Sequence, residues 1–128
     1  MPADAADAGA AAAAYGLLLP GPLDVVLLGR GGDGHTASLF PGSPALEERE
    51  RRVVAVLAPK PPSRRMTVTP PVVESAREVL VLVSGEAKAE ALARALEGPL
   101  DVPTVPAQLA LGRTWIADAA AASRLAPR

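Results

Sequence analysis

The stretch from Asp24 to Gly42 constrains the fold more than any other. An unbroken apolar run, Val25 to Leu28, leads straight into a turn holding Gly29, Gly31, Gly32 and Gly34. A run without polar interruption predicts a strand buried on both faces, as in parallel sheets covered by helices. Glycines directly after it let the chain take positive φ and bring its backbone close to a ligand. The same turn carries Asp33 and the chain's single histidine, His35. The predicted unit is a strand over residues 24–28, a tight turn, and a short helix from about His35 that stops at Pro41-Gly42.

The rest of the chain alternates in the same manner. Ala5 to Leu19 at most is a predicted helix, ended by Pro20-Gly21-Pro22. Leu46 to Arg52 reads as solvated surface before a second strand, Val53 to Ala58. Pro59 to Pro71 is too rich in proline for long regular structure and is expected to be a loop, with an extended segment at Met66 to Thr69. Val79 to Val83 is a third strand and Ser84-Gly85 its turn. Glu86 to Glu97 is a helix, with Leu92 and Leu96 four apart and Gly98 as its stop. Trp115-Ile116 forms a last short strand, after which Asp118 caps a helix over residues 119–125. Alternating strands and helices predict an α/β layer with a mostly parallel sheet.

Composition removes several functions. With 13 basic and 14 acidic residues the net charge is −1, too little for a field that would hold a nucleic acid backbone or an acidic membrane. One Phe, one Trp and one Tyr leave no platform on which single strands stack. The absence of cysteine excludes disulfides, thiolate catalysis and Cys-ligated zinc, and fits a reducing compartment. Asp4 and Asp7 stand where a signal peptide would carry positive charge. No apolar stretch approaches the roughly 20 residues of a membrane span. A cytoplasmic location is expected, with no nucleic acid and no membrane among the partners.

The glycine turn admits several readings. Gly29-x-Gly31-x-x-Gly34 satisfies the dinucleotide fingerprint, but Pro41-Gly42 would cut its helix short. The acid expected at the end of the second strand is also absent, since Glu47, Glu48 and Glu50 precede that strand. A P-loop needs a lysine where His35 stands, and imidazole is mostly neutral near pH 7. A third reading takes His35 as a general base whose ordinary pKa lies near neutrality, with Asp33 orienting it and the glycines admitting an anionic substrate. The plainest reading makes the glycines a turn and the histidine a cap. Thr36 and Ser38 are expected to hydrogen-bond within the first helical turn rather than act as nucleophiles. A metal site needs more ligands than His35 and Asp33.

The run "DVVLLGRGGDGHTASLFPGSPAL" resembles the signature of the 6-phosphogluconolactonases across Gly29 to Gly42. The similarity continues through "APKPPSRRMTVTPP", "VLVLVSGEAKAEALARAL" and "PAQLALGRTWIADAAAASRL", covering nearly the whole chain from Tyr15 onward. The resemblance implies a three-layer α/β sandwich with a mostly parallel sheet, Rossmann-like and truncated at the N-terminus. It implies one partial domain over residues 1–128, with 1–16 an Ala-rich helix or disordered start and 23–128 the lactonase-like core.

The activity it implies is hydrolysis of 6-phosphoglucono-δ-lactone to 6-phosphogluconate in the oxidative pentose phosphate pathway, with no metal or nucleotide cofactor. His35 would be the general base and Asp33 its supporting carboxylate. Gly29, Gly31 and Gly34 would line the substrate site. Lys60 and Arg65 would receive the sugar phosphate, with Arg64 behind them and Lys88 read as a surface residue.

The related glucosamine-6-phosphate deaminases share an Asp-Gly-His turn but follow it with a Phe-Asn-Glu-Pro-Gly type sequence. Here Leu39 and Phe40 precede Pro41 with no carboxylate, which favours the lactonase. The family carries a substantial portion ahead of the matching segment. The expectation is therefore a chain that self-associates or pairs with a complementing N-terminal segment, and in the alternative a catalytically silent sugar-phosphate binder.

Overall fold

A computed structural model describes residues 1–127. Helix α1 (Ala8–Leu17) begins at Asp7, whose side chain accepts a hydrogen bond from the Ala10 amide and so satisfies one free donor of the first turn. Strand β1 (Val25–Gly29) follows, then β2 (Val53–Leu57), β3 (Arg64–Val68), helix α2 (Pro70–Ser75), strand β4 (Glu78–Val83), helix α3 (Ala89–Glu97) and strand β5 (Thr114–Ala117). Short 3₁₀ segments lie at Pro44–Glu47, Glu86–Lys88 and Pro106–Ala110.

Strands β1, β4 and β5 form a parallel sheet in the order β1-β4-β5, with Val26 opposite Val79 and Leu82 opposite Ile116. Its buried face, Val26 and Leu28 with Val79, Val81 and Val83, packs on Val73 of α2, Ala76 just after it, Leu92 of α3 and Ala110. Each of these valine and leucine side chains taken fully from water contributes about 1.5–3 kcal/mol. The continuous apolar run predicted burial on both faces, but only one face is covered. Val25 is 55% and Leu27 65% exposed, and Leu82 and Ile116 stand exposed beside them. No element among the described residues packs on that side.

Strands β2 and β3 form a separate antiparallel hairpin. Val53 and Met66 pack under α1 with Ala12, while Val54 packs against Leu39, Ala45 and Leu46. The loop expected over Pro59 to Pro71 is shorter than the prolines suggested. Only residues 58–63 lie outside β2 and β3, because the prolines cluster at the hairpin tip and at the first turn of α2, where a missing amide costs nothing.

Two predicted helices do not form. The segment after His35 makes antiparallel bridges, Arg30 with Thr36 and Thr36 with Leu39. Gly34 at φ +94° and Ala37 at φ +50° exclude a right-handed helix there. Residues 119–124 are turns, although Asp118 does accept from the Ala121 amide at 2.7 Å.

Candidate functional site

The turn after β1 is held from both sides. The Gly31 amide donates to the His35 carbonyl at 3.0 Å and the Gly34 amide to the Gly31 carbonyl at 3.1 Å. The Gly34 carbonyl accepts from the Ala107 amide at 3.1 Å, so the 3₁₀ segment at Pro106–Ala110 fixes the turn from outside. That segment is itself anchored by buried Gln108, which donates to the Pro99 carbonyl and accepts from the Asp101 amide. Thr36 is buried, and its hydroxyl donates to the Gly29 carbonyl at 2.9 Å. It is thus a structural hydrogen-bonder, though across a bridge and not within a helix. The Ser38 amide donates to the Thr67 hydroxyl, tying the turn to the hairpin.

Within this frame His35 Nδ1 lies 2.5 Å from Asp33 Oδ1, and the same oxygen accepts from the His35 amide. Burial pushes the Asp33 carboxyl pKa upward, but the amide and ring of His35 outweigh it and hold the group below the ordinary aspartate value. With Nδ1 committed to the carboxylate, Nε2 is the nitrogen left open, and it makes no hydrogen bond among the described residues. The ring is 26% exposed. A Cβ at Gly31 would overlap Cε1 and Nδ1 of this ring and stand 2.7 Å from Asp33 Oδ1. The imidazole therefore occupies space that only a glycine leaves free. Gly29, by contrast, has open space around it, and Gly34 is required by its positive φ.

His35 packs against Phe40 with ring centroids 4.7 Å apart and planes tilted by 43°, and the Arg65 guanidinium lies 5.4 Å from the centroid of the same Phe40 ring. Arg65 is held there by hydrogen bonds to the carbonyls of Pro62 and Lys60. Of the basic residues expected at the site, the structure thus links Arg65 to His35 through Phe40. Lys60 is exposed at the hairpin tip, and its side chain makes no hydrogen bond or ion pair among the described residues. Arg64 turns toward the N-terminal segment, donating to the carbonyls of Ala5 and Ala6. Lys88 is half-buried just ahead of α3.

Two openings flank the turn. A groove of about 520 Å³ runs from Phe40 and Gly42 to Ala58 and Pro59. A smaller cavity of about 240 Å³ is walled by Arg30, Asp33 and Gly34 with Arg94 of α3. His35 lines neither, but it touches Phe40 of the first and Asp33 of the second. No group of three or more His, Cys, Asp or Glu side chains capable of holding a metal gathers among the described residues. No described helix is long and apolar enough to cross a membrane.

Phe40, Gln108 and Arg30 are the residues that sequence reasoning missed. Period-two alternation from Val26 and Leu28 places Arg30 on the inward side, a signal available in the sequence. Nothing local marks Gln108.

A parallel sheet feeds a glycine turn with a paired Asp and His at its tip, and residues 1–117 match the family model for glucosamine-6-phosphate isomerases and 6-phosphogluconolactonases. The chain belongs to that family, and the match reaches ahead of Tyr15 to the first residue. It is similar to the 6-phosphogluconolactonase of Mycobacterium tuberculosis, 48% identical over 132 residues that cover 93% of this chain and 53% of that protein. Among solved structures it is similar to the 6-phosphogluconolactonase of Trypanosoma brucei, with 34% identity and a TM-score of 0.80 over 95% of this chain and 55% of that one. A monomeric glucosamine-6-phosphate deaminase is also similar, with 27% identity and a TM-score of 0.78 over 94% of this chain and 56% of that one. The chain spans about half the length of the relatives it matches, and its α/β fold is theirs.

Proposed function

We propose that this chain carries the hydrolytic centre of a 6-phosphogluconolactonase, acting in the cytoplasm. The observation that carries the reading is the Asp33–His35 pair, which commits Nδ1 and leaves Nε2 for a water molecule. Nε2 takes a proton from that water as its oxygen attacks the lactone carbonyl. The acyl carbon–oxygen bond of the ring then breaks, and the imidazolium returns the proton to the departing ring oxygen. Asp33 holds the ring orientation and stabilises the imidazolium while it lasts. Arg65, and Lys60 beside it, anchor the phosphate and position the ring without joining in bond making. Gly31 and Gly34 shape the floor of the site. The relatives' names support the substrate, and Leu39-Phe40 in place of a carboxylate supports the lactonase over the deaminase chemistry.

The test is acid release from freshly prepared 6-phosphogluconolactone. The native chain is expected to exceed spontaneous opening, and His35→Ala to fall back to it. Equal rates for both, no faster than spontaneous, contradict hydrolysis. The exposed apolar face of the parallel sheet supports a second reading, in which the chain binds sugar phosphates silently until a complementing segment, or a second copy, covers the face. Gel filtration distinguishes the assembled form from the single chain.

A further inference from the structure

Arg30 is 7% exposed, and none of its three guanidinium nitrogens has a hydrogen-bond partner among the described residues. A buried guanidinium without an acceptor is a costly arrangement, and native folds supply such groups with partners. It walls the cavity of about 240 Å³ together with Gly32, Asp33, Gly34, Glu90 and Arg94. The carboxylates there are already engaged: Asp33 with His35, and Glu90 with Arg124 at 3.3 Å. Arg94 has no ion pair or hydrogen bond among the described residues. Burial, with the like charge of Arg94 added, lowers the Arg30 pKa to about 10, so Arg30 remains a cation at neutral pH. The cavity is smaller than the roughly 300–1,000 Å³ of drug-sized sites, which limits its occupant to a small group. The missing partner is therefore a compact acceptor with several oxygens, matching the forked donors of arginine.

We propose that Arg30 and Arg94 bind a phosphate-type oxyanion in this cavity, across Gly34 from His35. The oxyanion supplies the acceptors that the fold withholds from Arg30, and it separates two cations that otherwise repel. This site is distinct from the Arg65 and Lys60 anchor, which lies on the Phe40 side of the imidazole. Two sources carry the same chemistry: a free inorganic anion, and the phosphate of a sugar seated on this side of the imidazole instead of on Arg65 and Lys60.

Inorganic phosphate titrated into the full chain, followed by calorimetry and by thermal melting, tests the site. The native chain is expected to bind phosphate and to melt at a higher temperature in its presence. Arg30→Met, which keeps side-chain length and removes the charge, is expected to weaken binding at least tenfold and abolish the phosphate-dependent rise. Arg94→Ala is expected to act in the same direction, and it carries the test should Arg30→Met fail to fold by circular dichroism. Arg77→Ala, a surface arginine paired with Asp24, controls for net charge and is expected to bind as the native chain does. Competition by 6-phosphogluconate assigns the site to the sugar's own phosphate, and simultaneous binding of both assigns it to a free anion. Native-like phosphate binding in both variants, or no phosphate response in the native chain, overturns the site. The readout is binding alone, so its failure is separate from any failure of hydrolysis.

Discussion

At the scale of single residues, position 31 controls the imidazole. Gly31 is needed because the His35 ring fills the space where a Cβ would stand. Gly31→Ala therefore has to push the ring or Asp33 aside. A misplacement of about 1 Å at a reacting group can cost on the order of 100-fold in rate, so the variant is expected to lose about that factor in kcat for the lactone. Stability should change less, because the imidazole and the Asp33 carboxylate that a Cβ would displace are both partly exposed and can move outward. Steady-state kinetics beside a denaturation curve checks both parts. A variant with native kcat would show that His35 has room to spare. Glycine spacing made this turn conspicuous in the sequence, but it also satisfied the dinucleotide pattern. The 2.5 Å contact between Asp33 and His35 supports the general-base reading, and it is a geometry that spacing does not encode.

At the scale of elements, strands were more legible than helices. Strands β1, β4 and β5 announced themselves as apolar runs between turn residues. The helix expected from His35 failed because two positive φ values, one of them at an alanine, depend on contacts with the hairpin and with the Pro106–Ala110 segment. The last predicted helix failed although its cap exists. Asp118 accepts from Ala121 on one side, and from Ser84 Oγ at 2.6 Å and the Gly85 amide on the other. It ties the ends of β4 and β5 together, and the segment after it continues as turns. Its pKa is lowered first by the Ser84 hydroxyl and then by the two amides. Replacing this carboxylate removes the acceptor of the Ser84 hydroxyl and of the Gly85 and Ala121 amides, so Asp118→Ala is expected to lower the urea midpoint with an unchanged m-value. An unmoved midpoint would mean that the end of β4 is held by packing alone.

At the scale of the whole molecule, the acid limb of stability follows from lowered carboxyl pKa values. Glu48 is held at about 2 by the amides of Arg51 and Glu50 and by the Arg51 side chain, and Asp33 and Asp118 are lowered too. The unfolded chain takes up these protons first, near pH 4, and the folded chain only further down. The stabilisation is therefore complete above about pH 5 and is lost as pH falls toward about 2. Urea midpoints measured from pH 7 to pH 2 should fall through that window, and Glu48→Gln should flatten the lower part of the fall. A midpoint independent of pH below 5 would contradict this. The fold places one half-covered parallel sheet, one hairpin and three short 3₁₀ segments around a single imidazole, so the account comes down to which of its nitrogens is free. Because His35 is the only histidine in the chain, a ¹H–¹⁵N spectrum of the ring, recorded where it is neutral, reads this without ambiguity. The account predicts a proton on Nδ1 and a bare Nε2 whose resonance moves when 6-phosphogluconate is added. A proton on Nε2, with no response to that ligand, would contradict it.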